Sequence, residues 1–430
     1  MRTKRCLAPA LSALNRLCGT AAATLPLLIG VMSAAVLHIP SAIALSIDEK
    51  KAAVLATPSD VLQTLGSHLI VGYHVASELT PLLSRGVLGG VFVTARNAKS
   101  RTEAQLSREI SGLRALAAEK GLRPLWIAAD QEGGPVARLT PPLARQPPLK
   151  RLLRKTMTHQ ERDTTISAYA TRQASNLARI GVNLNFAPVV DLKRLGRLHG
   201  DRHTNLHLRA LFDDAGLVAE AAKSYCRATA AEGVLCTLKH FPGLRTVNAD
   251  THISKGRVLA TQRALEARDW APFWIANGKI PAAIMVSHAH FDEVDALNPA
   301  STSKTVISGL LRREWGYSGL VITDDFYMAS IRKRPGGMSR AAIHALNAGA
   351  DLIVITTGGN DTYHVLFELI QAFKDGRLDQ AKLAASRLRL NHYANQFAPP
   401  PPATMVAPLP SASPRRTVSK TDRSLVGKAD

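Results

Sequence analysis

Four cysteines in 430 residues, an aromatic content of 5%, and 33 acidic side chains against 54 basic ones are the scarcities that first narrow this chain. Cys6 and Cys18 lie near the start, so the body of the chain holds only Cys226 and Cys236. Two cysteines without clustered histidines build neither a disulfide framework nor a zinc site. Both sit in apolar surroundings, Cys226 in a helical pattern and Cys236 at the start of a strand pattern, and are expected as buried free thiols. A bridge between them requires helix and strand to meet at that point. So few aromatics offer no platform for stacking bases, and no nucleic-acid motif is present, so the net charge of +21 needs another reading. A basic surface also suits anionic lipid or acidic envelope polymer. The densest basic run, Lys150, Arg151, Arg154 and Lys155, reads as a solvated helix start. No metal or organic cofactor is implied.

The two ends differ from the middle. Residues 1–44 hold Arg2, Lys4, Arg5 and Arg16 with no acid, then the apolar run Thr20 to Leu37, then Ala42-Ile43-Ala44. This is the layout of an export signal with a small-x-small cleavage site, and it places the mature protein in the periplasm or outside the cell. The apolar run approaches the length that spans a bilayer, so an uncleaved membrane anchor is the alternative. Residues 397–430, with Pro399 to Pro402 and then Ser, Pro, Arg and Lys, have too little apolar content to fold and read as a disordered basic tail. Without these ends the segment 45–396 still carries about +14.

Within that segment short β-branched runs recur at 68–73, 90–94, 125–129, 182–187, 234–240, 282–287, 319–323 and 352–356. Unbroken apolar runs of this length suit strands buried on both faces. Amphipathic helical stretches lie between them, at 103–120, 162–180, 213–232, 262–277, 304–315, 339–348 and 361–374. Repeated strand-helix units of this number predict an α/β fold, a (β/α)8 TIM barrel forming a single domain over 45–396. A doubly wound open sheet is the alternative, but no Gly-x-Gly-x-x-Gly follows the first strand.

Charged and polar residues stand where several strands end: Asp130, Asp191, Lys239 and His240, His288, and Asp324-Asp325. Desolvating such groups is costly, and in a barrel the strand ends carry the active site. Eleven residues past Lys239 lies Asp250-Thr251-His252. A carboxylate two positions from an imidazole can fix its tautomer and tune its proton affinity.

Taken together these segments resemble glycoside hydrolase family 3, in its β-N-acetylglucosaminidase branch. The matching stretches are Gly89 to Asn97, Asp130 to Arg138 (DQEGGPVAR), Gly181 to Asp191 (GVNLNFAPVVD), Gly200-Asp201-Arg202, Lys239 to His252 and Val321 to Met328 (VITDDFYM). The resemblance implies that Asp324 is the nucleophile and that His252, supported by Asp250, is the acid/base. It implies that Asp130, Arg138, Arg202, Lys239 and His240 hold the sugar, with Asp325 a neighbour and no catalyst. Two departures stand out: Pro135 replaces the family's usual Arg, and Leu244-Arg245 replaces His-Gly. Loss of that glycine is expected to stiffen the loop that carries His252.

The function implied is an exported, retaining exo-β-N-acetylglucosaminidase acting on peptidoglycan or chitin fragments, monomeric and without nucleic-acid partners. A retaining glycosidase needs a carboxylate beneath the anomeric carbon and a proton donor at the leaving oxygen. A histidine donor spares Asp324 a second anion nearby. A glycoside phosphorylase, a β-glucosidase-type exo-glycosidase, and a non-catalytic envelope sugar-binding protein are the competing readings.

Overall fold

A computed structural model describes residues 45–398 except 120–122, 195, 197, 199–200 and 279. The expected leader 1–44, and the expected tail from residue 399 onward, lie outside the described residues. No helix among the described residues is long and apolar enough to cross a membrane.

Eight parallel strands close into a barrel: β1 (Leu69–Val71), β2 (Gly90–Val93), β3 (Trp126–Ala129), β4 (Leu184–Asn185), β5 (Leu235–Phe241), β6 (Ala282–Val286), β7 (Val321–Asp325) and β8 (Leu352–Ile355). They pair in chain order around the ring, with β1 closing on β8 through Leu69 to Ile353 and Val71 to Ile355. Each overlaps one of the expected apolar runs; β5 extends one residue past its run, to Phe241, and β7 two residues past its run, to Asp325. Alternation along the strands divides the core into two layers. Ile70, Phe92, Trp126, Leu184, Leu235, Met285, Ile322 and Val354 fill the interior, while Val71, Val91, Ile127, Ile284, Val321 and Ile353 pack outward under the helices.

Threonine and aspartate start the main helices. Thr102 and Thr158 form capping boxes with Gln105 and Glu161, opening α1 (Glu103–Ala118) and α2 (His159–Arg179), and Asp214 caps α3 (Ala215–Ala231). Each cap satisfies backbone N–H groups that the first turn leaves open. The stretch 262–277 is not one helix. It breaks into short turns around a five-residue π-type segment, Leu265–Asp269, and Pro272 lies in the first turn of Ala271–Trp274. A proline cannot supply the N–H that a continuous helix requires.

Two expectations are corrected. Cys226, on α3, and Cys236, on β5, are joined in a disulfide with a Cα–Cα distance of 5.4 Å, not left as free thiols. The turn at Gly233, where φ is +74°, returns the chain from α3 onto β5 and brings the two thiols together. The second concerns the start of the tail. The helix α4 (Gln380–Gln396) crosses the bottom of the barrel, and Leu390, Ala394 and Phe397 join the interior layer. Phe397 is buried against Trp126, and its carbonyl accepts a 3.2 Å bond from Asn183 Nδ2. The chain therefore leaves the barrel only after Phe397.

Ending the chain after Asn395 should accordingly lower stability, by about 3 kcal/mol or more for loss of a buried phenylalanine. Ending it after Ala398 should leave the urea midpoint unchanged. Equal midpoints for the two truncations would show that Phe397 does not plug the barrel.

Candidate active site

At the C-terminal end of the barrel, side chains from the strand ends and the connections beyond them form a buried charge network. Lys239, in β5, is 3% exposed at its side chain and places Nζ 2.6 Å from Asp130 Oδ1 and 2.6 Å from Glu132 Oε1. Arg209 forks onto the same Glu132, with Nε to Oε2 at 2.9 Å and Nη2 to Oε1 at 2.6 Å. Two cations thus meet two anions. Burying such a set is tolerable only while it stays balanced, and removing one member costs about 3–5 kcal/mol. Burial opposes the charge on Glu132, but Arg209 and Lys239 hold its pKa at about 2. Glu132 is therefore ionised at any working pH and has no proton to give. Burial likewise opposes the Lys239 charge, and Asp130 and Glu132 raise its pKa nonetheless.

His240 is oriented from beneath. Asp191 Oδ2 accepts from its Nδ1 at 2.6 Å and from its backbone N–H at 3.0 Å, while Oδ1 accepts from Leu244 N at 2.7 Å. With Nδ1 so engaged, Nε2 is the nitrogen left to face a ligand. His288 is closed off: Nδ1 meets Ser301 Oγ at 2.7 Å and Nε2 meets the Asp325 carbonyl at 2.9 Å. Burial holds its pKa below the ordinary value.

Asp324 and Asp325 end β7 and part company there. Asp325 turns toward β8, where its carboxylate accepts from the Thr356 hydroxyl, from Thr356 N at 3.1 Å and from Tyr327 N at 3.1 Å. Burial pushes its pKa up to about 6. Asp324 accepts from Asp325 N at 2.9 Å. Burial would raise its pKa too, but the fields of His240, His288 and His252 hold it below the ordinary carboxylate value. The result is an ionised carboxylate among three imidazoles.

The loop after β5 carries the remaining pair. His252 Nδ1 lies 2.7 Å from Asp250 Oδ1, which also accepts from His252 N and from Thr204 Oγ1, each at 3.0 Å. Asp250 Oδ2 accepts from Arg202 N at 3.2 Å and His203 N at 3.0 Å. Five donors on one carboxylate explain why, despite burial, its pKa stays well below the carboxylate range. For His252 burial works against the charge, but the bond to Asp250 and the fields of Asp324 and Asp250 raise its pKa above the ordinary value. An imidazole that keeps its proton, half exposed at the mouth and within the field of an ionised Asp324, can act as a general acid.

This loop is anchored at several points. Arg245 forks onto Asp269 with two bonds of 2.8 Å, Arg194 Nη1 donates to Val247 O at 2.6 Å, and Ala329 N donates to His252 O at 3.0 Å. Leu244 is buried at its base. The Leu244-Arg245 departure thus supplies both a core contact and the Asp269 ion pair. Pro135 is exposed at the tip of a hairpin formed by Gln131–Gly133 and Val136–Ala137.

Asp130, Lys239, His240, Asp250, His252 and Asp324 are brought together at one mouth. Arg138 and Arg202 differ, because their side chains are exposed at the rim and only their backbones join the network, Arg138 N to Asp130 O at 3.0 Å and Arg202 N to Asp250. Arg209 and Thr204 are part of the site and carried no mark in the sequence. Neither ends a strand, and their partners Glu132 and Asp250 lie 77 and 46 residues away.

Comparison with known proteins agrees with this geometry. Residues 48–392 match the family model described as the glycosyl hydrolase family 3 N terminal domain. A protein named beta-hexosaminidase from Xanthomonas oryzae pv. oryzae is 33% identical over 316 residues, 73% of this chain and 88% of that one. Another of that name from Xylella fastidiosa is 33% identical, covering 66% of this chain and 81% of that one. Among solved structures, a family 3 β-N-acetylglucosaminidase from Paenibacillus sp. superposes with a TM-score of 0.71 at 28% identity, over 83% of this chain and 66% of that one. LpqI of M tuberculosis superposes with a TM-score of 0.66 at 27% identity, over 80% of this chain and 96% of that one. With a closed eight-stranded barrel, a charged mouth at the strand ends and a family match over most of its length, the chain belongs to glycoside hydrolase family 3.

Proposed function

We propose that this enzyme is an exported, retaining exo-β-N-acetylglucosaminidase that removes terminal β-linked N-acetylglucosamine from peptidoglycan or chitin fragments. The observation that carries the reading is geometric: His252, held by Asp250 through a 2.7 Å contact, shares the mouth with the Asp324 carboxylate at the end of β7, and their mutual fields lower the Asp324 pKa and raise that of His252. The names of the relatives supply the sugar.

In the first step the Asp324 carboxylate attacks the anomeric carbon and the glycosidic bond breaks, with its electron pair leaving on the aglycone oxygen. His252 Nε2 gives that oxygen its proton, leaving a glycosyl ester on Asp324. In the second step the neutral imidazole takes a proton from water, whose oxygen displaces Asp324 from the sugar. Asp250 holds the ring through Nδ1 so that Nε2 performs both transfers. Asp130, fixed by Lys239, accepts from sugar hydroxyls, and His240 Nε2 and the rim arginines Arg138 and Arg202 supply further polar contacts. Glu132 serves as counter-ion to Lys239 and Arg209.

Export is supported by the basic and apolar leader ending at Ala44, by a first described helix, Ile47–Ala56, that begins just beyond it with a Ser46 capping box, and by the disulfide, which persists in oxidising compartments. Basic residues remaining in the catalytic segment suit anionic envelope polymers as neighbours.

A panel of aryl glycosides, with and without phosphate, tests the activity. The N-acetylglucosaminide should be turned over far faster than the glucoside, with no dependence on phosphate. A phosphate requirement would mark a phosphorylase, and preference for the glucoside a β-glucosidase-type enzyme. No turnover at all would leave a sugar-binding protein.

The pH profile has a definite sign. The first step needs His252 protonated, and its pKa lies above the ordinary imidazole value, so kcat/KM should fall as pH rises through that raised pKa, at a higher pH than a free imidazole would set. In Asp250→Asn the fall should move to lower pH, because the anion that favours the imidazolium is gone. An unmoved alkaline limb would mean that another group sets it.

A further inference from the structure

The basic run at 150–155 does not open a helix. Leu149–Arg151 is a single 3-10 turn, and α2 starts only at His159. Lys150, Arg151, Arg154 and Lys155 instead share an open groove of about 450 Å³ with Lys193 and Arg194. The one carboxylate in its lining, Asp213, is already engaged by Lys155 at 2.6 Å. Two of the cations are fixed in place, Lys150 by a 2.6 Å bond to His207 O and Arg194 by its bond to Val247 O. Partial burial lowers the Lys150 pKa, and the charges of Lys193 and Arg151 lower it further. Like charges gathered and fixed in this way repel one another, and an anion in the groove relieves that repulsion.

The groove also has a telling position. Lys193 and Arg194 closely follow Asp191, and Ala210, Leu211 and Phe212 directly follow Arg209. Groove and catalytic mouth are therefore lined by the same connection after β4. The aromatic residue in the lining, Phe212, is 6% exposed, which leaves no free ring for stacking bases.

We propose that the groove is a second glycan-binding site, one that takes an anionic strand bearing carboxylates or phosphates along its length and holds it beside the mouth where strand ends are cut. The proposal deepens the glycosidase reading above and rests on it.

The test uses the mature protein and two triple variants of equal charge change. Arg151→Glu, Arg154→Glu and Lys193→Glu reverse the groove; Arg108→Glu, Arg172→Glu and Arg227→Glu reverse exposed charges on outer helices. Binding is measured to polygalacturonate, a carboxylate polymer, to a glycerol-phosphate polymer and to duplex DNA, at low and high salt. The wild type should bind the carboxylate polymer, the phosphate polymer or both, the tighter one identifying the acid recognised. The groove variant should lose about tenfold or more of that affinity while the control variant stays near wild type. Turnover of an aryl N-acetylglucosaminide should be the same in all three. Equal losses in both variants, no binding of either polymer, or tighter binding of DNA than of both would overturn the proposal. Failure of the glycosidase reading would show separately, as polymer binding by a wild type that turns over no glycoside.

Discussion

Asp324→Asn should lower turnover of every glycoside substrate by roughly 10⁴ or more, the scale seen when a nucleophile is removed from a site whose other parts remain. The fold should survive, because among the described residues Asp324 makes one side-chain hydrogen bond, from the Asp325 N–H, which an amide oxygen can still accept. Affinity for the product sugar should persist, since Asp130, Lys239 and His240 are untouched. Asp325→Asn makes the informative contrast. That carboxylate is engaged by Thr356 and Tyr327 and faces β8, so its loss should reduce stability more than chemistry. If the two variants exchange these phenotypes, the nucleophile is misassigned.

The second large effect belongs to His252→Ala, and it depends on the leaving group. General acid assistance is worth about 10² to 10⁴ in rate. Disaccharides, whose leaving oxygen departs as a poor alkoxide, should lose that whole factor in the first step. Aryl glycosides need little protonation and should lose far less there, although hydrolysis of the glycosyl ester slows for both when the base is missing. Asp250→Asn should show the same pattern in milder form, because the imidazole loses its orienting partner but keeps its proton-carrying nitrogen. Glu132, the second carboxylate of the Asp130 to Arg138 stretch, is the other acid to weigh against His252. Its two ion pairs and a pKa of about 2 remove it from contention. Equal slowing of all substrates by His252→Ala would make the triplet a structural element of its loop.

The barrel was legible because its strands are buried on both faces, and unbroken runs such as Leu352–Ile355 need no partner to declare themselves. The strand-end residues were legible for the converse reason, since a lysine or aspartate next to such a run stands out. What stayed hidden depends on distance in the chain. Arg209 gains meaning only from Glu132, 77 residues away, and the salt bridge leaves no periodic trace. The Cys226–Cys236 bridge depends on where α3 ends and how sharply Gly233 turns, which composition does not reveal. Helix α4 was not legible as a plug because Leu390, Ala394 and Phe397 lie among Arg387, Arg389 and His392, which dilute the apolar signal, and because Phe397 stands two residues before the proline run. The basic cluster at 150–155 was visible as charge, but its two completing members, Lys193 and Arg194, come from the other side of α2 in sequence.

Trapping of the covalent intermediate tests the central claim most directly. A fluorinated mechanism-based N-acetylglucosaminide with a good leaving group slows breakdown of the glycosyl-enzyme and lets it accumulate. After proteolysis, mass spectrometry should find one sugar on the peptide that holds Asp324, and none after the same treatment of Asp324→Asn. A sugar mapped to any other carboxylate, or rapid turnover with no covalent adduct, would contradict the assignment of Asp324 as the nucleophile of a retaining glycosidase.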